Sequence, residues 1–162
     1  MRVFISHSLK DKELLVNIEK KIRSWGYEPV FSEQTVHAGT ITDKIKKLMD
    51  SSDFVLILYT DNVTQSNFVH HEIGYFENSN KPIFIIKGNN VSIDSGLIYG
   101  YDSIEINANG KVNLSPLKKS LDEHNALIKQ KIISKKRENV IMTIGTIGLA
   151  LLFGSESKSH QR

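Results

Sequence analysis

The sequence predicts an α/β domain in which five parallel strands form a doubly wound sheet with helices on both faces. Two observations carry that expectation. Short apolar runs alternate with longer segments of helical spacing from residue 3 to about residue 130. The run Phe54-Val55-Leu56-Ile57-Leu58-Tyr59 is apolar without alternation, so it needs cover on both faces and belongs at the centre of a parallel sheet. A chain of 162 residues, 40% of them hydrophobic, is long enough to bury such a core.

Val3-Phe4-Ile5 reads as the first strand. Ser8 then opens a helix, and Asp11 stands three residues on at capping-box spacing. Leu14, Leu15, Ile18, Ile22 and Trp25 recur on one helical face until Gly26 ends it. Tyr27–Phe31 reads as the second strand, followed by a polar loop, Ser32–Gly39. Thr40 and Asp43 mark another helix start, with Ile41, Ile45, Leu48 and Met49 on one face. After the central strand, Ser66 caps a third helix, "SNFVHHEIGYFE", whose core stripe is Val69, Ile73 and Phe76. Ile83–Ile86 follows Pro82 as a fourth strand, and Ser103–Asn107 as a fifth. Ser115-Pro116, a cap and a first-turn proline, starts a long amphipathic helix with apolar positions Leu117, Leu121, Ile128 and Ile132.

Composition narrows the classes. There is no cysteine, so disulfides and thiolate chemistry are excluded. The first residues, Met1-Arg2-Val3-Phe4-Ile5-Ser6, lack the apolar core and cleavage site of a secretion signal and read as the start of the folded domain. Net charge is +3, but Lys129, Lys131, Lys135, Lys136 and Arg137 crowd ahead of the uncharged run Val140–Gly154. Without interleaved aromatics this cluster does not read as a nucleic-acid site, and no nucleic-acid partner is expected. Beside an apolar run it reads as a juxtamembrane anchor facing the cytoplasm. The expected organisation is a domain over 1–130, a basic segment over 131–138, a membrane helix over 139–155 and a polar tail over 156–162. Fifteen uncharged residues make a helix about 22 Å long against a hydrocarbon core of about 30 Å, so spanning would require local thinning, and a helix packing on another copy of the chain is the alternative.

Several enzyme classes lack their motifs. Neither a glycine-rich dinucleotide turn nor a phosphate-binding lysine loop follows a strand, and there is no nucleophile elbow. His70, His71 and Glu72 do not make a metal site, because adjacent residues point about 100° apart on a helix. No metal and no resident cofactor are expected. Sites in doubly wound sheets lie outside the carboxyl ends of the strands. Here those ends carry Ser6-His7-Ser8, Ser32–Gly39 and Thr60–Ser66, with Phe68 and Glu72 at the start of the third helix beside them. On spacing alone Glu72 is an ordinary solvent-facing helix residue, Phe68 ordinary packing and Ser8 a helix cap.

Taken in order, "VFISHS", then "WGYEPVFSEQTVHAGTITDKIKKLMDSSDFVLILYTDNVTQSNFVHHEI", then "KPIFII" closely resemble a TIR (Toll/interleukin-1 receptor) domain over roughly residues 1–110. The resemblance implies the flavodoxin-like version of the predicted sheet. It also implies an NAD⁺-cleaving enzyme with NAD⁺ as substrate, Glu72 at the catalytic position, and Phe68 where the family usually has tryptophan. Ser6, His7 and Ile41 match positions that line the family's substrate pocket. Self-association through the TIR domain, and a role as an immune or stress effector such as antiviral defence, are implied in the same way. A non-enzymatic adaptor acting through TIR–TIR contacts is the alternative within the family.

Overall fold

Strand β1, Arg2–Ser6, is the hub of the sheet, with every residue after the first buried. The structure is a computed structural model that describes residues 1–31, 43–63, 72–76, 79, 81–89, 91, 101–107 and 111–154, with side chains left out at residue 44 and from residue 137 onward. Strands β2 (Glu28–Val30), β3 (Phe54–Tyr59), β4 (Ile83–Lys87) and β5 (Asp102–Glu105) complete one sheet in the order β2-β1-β3-β4-β5. All four pairings are parallel. The sheet matches the expectation strand for strand, although β2 and β5 are shorter than the apolar runs that announced them. All six residues of β3 are buried, as its unbroken apolar run requires.

Two apolar layers cover the sheet. Phe4, Val55, Ile57 and Ile85 face Ile45 and Met49 of α2 (Asp43–Asp50) and Ile73 and Phe76 of α3 (residues 72–76). Val3, Ile5, Leu56, Leu58 and Ile86 face Leu15, Ile18 and Ile22 of α1 (Lys12–Ser24), together with Leu117 and Leu121 of α4 (Ser115–Gly154). Alternation along each strand therefore sends odd and even residues of β1 to opposite layers. That separation governs the site.

The ends of the helices follow local chemistry. Gly26 sits at φ 82°, a left-handed conformation that favours glycine, and its N–H reaches the Arg23 carbonyl at 3.0 Å to close α1. Ser8 caps a short 3₁₀ turn, Leu9–Asp11, ahead of α1, accepting from the Lys10 N–H. Ahead of α4 the Asn113 side chain accepts from the Ser115 N–H at 3.1 Å, and Ser115, the cap that the sequence suggested, is itself the first helical residue. Lys81 closes the far end of α2: its Nζ donates to the carbonyls of Met49, Asp50 and Ser52, each at 2.7 Å. Burial lowers the Lys81 pKa, and the charges of Asp50 and Asp53 oppose that. Lys81→Met keeps the apolar stem but strands three carbonyls at a helix C-terminus. We expect a loss of about 2 kcal/mol in urea unfolding, and a change under 0.5 kcal/mol would show that water replaces the ammonium without cost.

The chain divides into two units, Met1–Leu121 and Asp122–Arg162. The second consists of the later turns of α4 and the tail. In it Leu127, Ile132 and Ile133 are each at least half exposed. Among the described residues no helix is long and apolar enough to cross a membrane. The side chains of the apolar run, and with them the anchor expected over 139–155, lie outside the described residues.

Candidate active site

The strand order reverses between β1 and β3, so a crevice is expected at their carboxyl ends. Ser6 ends β1 there, opposite Ile57 of β3 in the ladder. Its side chain falls on the Phe4 face. From that position the Ser6 hydroxyl donates to Glu72 Oε2. Both residues are almost sealed, at 1% exposure for Ser6 and 2% for Glu72. Two residues back on β1 and four further along α3, the rings of Phe4 and Phe76 meet at 5.2 Å. Two strand residues span about 6.6 Å and one helical turn of four about 6 Å. The aromatic pair and the Ser6–Glu72 pair are thus two matched contacts that fix the register of α3 on β1.

Burial pushes the Glu72 carboxyl up to about 8, and the Ser6 hydrogen bond pulls the other way. At neutral pH the group is mostly protonated in this closed arrangement. A buried carboxyl at the crevice of an α/β sheet, with its pKa raised by burial, is a candidate functional group. The solvent-facing helix residue that spacing alone suggested is therefore not what Glu72 is: α3 turns it inward, onto β1.

His7, the next residue, goes to the other face. Its ring meets Phe31 edge-on at 5.8 Å, and its Nδ1 lies 3.3 Å from the Ile5 carbonyl. Burial lowers its pKa, while the Ile5 carbonyl and the charge of Asp11 raise it. With Leu9, Leu15, Val16 and Phe31 it lines a groove of about 500 Å³ against α1, in which Glu72 takes no part. The structure therefore brings Ser6 and Glu72 together and places His7 apart from them. Phe68 and Ile41, the other two expected site residues, lie outside the described residues.

A third group at this edge escaped the sequence reading. Asp11 is buried, and its carboxylate accepts from Thr60 Oγ1 at 2.7 Å and from Asn62 Nδ2 at 2.6 Å. The capping-box role suggested by the Ser8–Asp11 spacing is not how Asp11 spends its carboxylate. It ties the turn after β1 to the turn after β3. The available signal was the cluster of polar residues just past two apolar strands.

The family model of the TIR domain matches residues 3–109, and the chain belongs to that family. No curated protein matches it. Among solved structures it is similar to the CMP N-glycosidase BcmB of Clostridium botulinum, at 20% identity over 75% of this chain and 98% of that one, with a TM-score of 0.45.

Proposed function

We propose that the chain is a nucleotide glycohydrolase that cleaves NAD⁺ at its nicotinamide–ribose bond, with Glu72 as the catalytic group. The observation that carries this reading is a single carboxyl, Glu72, buried at the crevice edge and hydrogen-bonded to Ser6. One carboxyl suits this reaction. The nicotinamide nitrogen is already cationic in NAD⁺ and becomes neutral as the base departs, so no general acid is required, whereas ordinary glycosidases use two carboxylates. The ionised Glu72 offsets the positive charge that develops on the ribose as the bond breaks. Water then adds to the anomeric carbon and gives ADP-ribose and a proton; attack by an adenine nitrogen would give a cyclic product instead. Such a fixed charge contributes on the order of 3 kcal/mol or more to the transition state.

The active form is the carboxylate, which sets the pH dependence. With the carboxyl raised to about 8 in the free protein, kcat/KM should climb with pH and level off above about 8. Bound substrate brings a cation against Glu72 and lowers its pKa, so kcat should reach its plateau at lower pH. A kcat/KM profile that is flat from pH 6 to 9, or that falls across this range, would sink the assignment.

A second reading is favoured by the 2% exposure of Glu72: a TIR module that signals by contact with other TIR domains and performs no chemistry. Nicotinamide release separates the two. Under the enzymatic reading release per molecule rises with protein concentration, because assembly would open the site; the adaptor releases none at any concentration.

A further inference from the structure

Resting on that reading, we propose that Ser6 is a positioning residue of this reaction: its hydroxyl orients the Glu72 carboxylate towards the ribose and favours its ionised form, and does not itself contact the substrate. The family resemblance placed Ser6 among pocket-lining residues. The geometry gives it another task. Its backbone is fixed in the β1–β3 ladder, and its one side-chain donor is spent on Glu72 Oε2. The Phe4–Phe76 contact one turn away locks strand and helix together, so the hydroxyl is presented to the carboxyl without a search. A hydroxyl has a single proton to donate, and donating it to a carboxylate stabilises the charged form.

The other described titratable groups near this edge have different partners or positions. His7 faces Phe31 and the Ile5 carbonyl, Asp11 holds Thr60 and Asn62, and Tyr75 of α3 bonds Asp50. Asp61, after β3, is exposed. Tyr59, at the end of β3, shares the apolar layer with Ile73. Among the described residues Ser6 is the hydrogen-bond partner of Glu72.

The test is Ser6→Ala beside Ser6→Thr, read in two ways on the full chain. Titration of the Glu72 side-chain carboxyl by ¹³C NMR should show a midpoint higher in Ser6→Ala than in the wild type, and close to the wild type in Ser6→Thr. Nicotinamide release from NAD⁺ should lose roughly tenfold to a hundredfold in kcat in Ser6→Ala with KM within about twofold, and Ser6→Thr should recover most of it. An unmoved midpoint overturns the proposal. So does a KM that rises with kcat unchanged, which would make Ser6 a direct substrate contact. The NMR titration decides the role of Ser6 even in a protein that cleaves no NAD⁺, so failure of the enzymatic reading is told apart from failure of this one.

Discussion

Glu72→Gln is expected to stabilise the domain at neutral pH while removing its activity. The carboxyl titrates near 4.5 in the unfolded chain and near 8 in the folded one. Between those values the unfolded state gives up a proton that the folded state keeps. The stabilising contribution of the neutral group is therefore complete below about pH 4.5, shrinks as pH rises, and is lost by about pH 8. At pH 7 the accumulated cost is about 3 kcal/mol, taking 1.36 kcal/mol for each pH unit between 4.5 and 7. Glutamine keeps the size and still accepts from Ser6, but it does not ionise. The variant should gain up to that amount at pH 7, a rise in Tm of about 10 °C, and nothing at pH 4. Over the same change nicotinamide release should fall by about a hundredfold or more. Stability gained as activity is lost is the signature of a residue kept for function against the interest of the fold. Thermal unfolding of both proteins at pH 4, 7 and 8.5 checks it. Equal Tm values at pH 7 would mean that Glu72 is not held neutral inside the fold.

The second large effect belongs to Asp11. Its carboxylate holds Thr60 and Asn62, and Thr60 is itself buried. Asp11→Ala removes two charge-assisted hydrogen bonds and leaves a buried hydroxyl without its acceptor. The expected cost is about 3 kcal/mol in urea unfolding. Asp11→Asn, which keeps one acceptor, should cost about half as much. The loss should be local as well as global. The Val63 N–H, bonded to the Thr60 carbonyl, should exchange faster in Asp11→Ala than in the wild type, while core amides of β3 slow or quicken only with global stability. A loss below 0.5 kcal/mol, or unchanged exchange at Val63, would show that the two turns hold their places without the tie.

What was legible in the sequence was whatever depends on short-range pattern. The unbroken apolar run of β3 specified a central parallel strand, and the stripes Leu15-Ile18-Ile22 and Ile45-Met49 specified which helix faces would be buried. The candidate site was partly legible, because the ordered likeness singled out Glu72 and the carboxyl edge its neighbour Ser6. Three features were not. Asp11 obeys a local capping rule in its spacing, yet its carboxylate goes to residues 49 and 51 positions away. Ser6 and His7 read as one loop, but the two-residue period of a strand sends them to opposite sides of the sheet. The burial of Glu72, which raises its pKa, depends on a contact 66 residues distant and on the way α3 docks through Phe76. Local propensity carries no record of such contacts, and only packing supplies them.

The central claim is that the Glu72 carboxylate breaks the nicotinamide–ribose bond. Its most direct test is nicotinamide release from NAD⁺ at pH 8.5 by concentrated wild-type protein and by Glu72→Gln at the same concentration, both confirmed folded. The account predicts steady release by the wild type and background from the glutamine variant. Equal rates in the two proteins, whether high or at background, would contradict it.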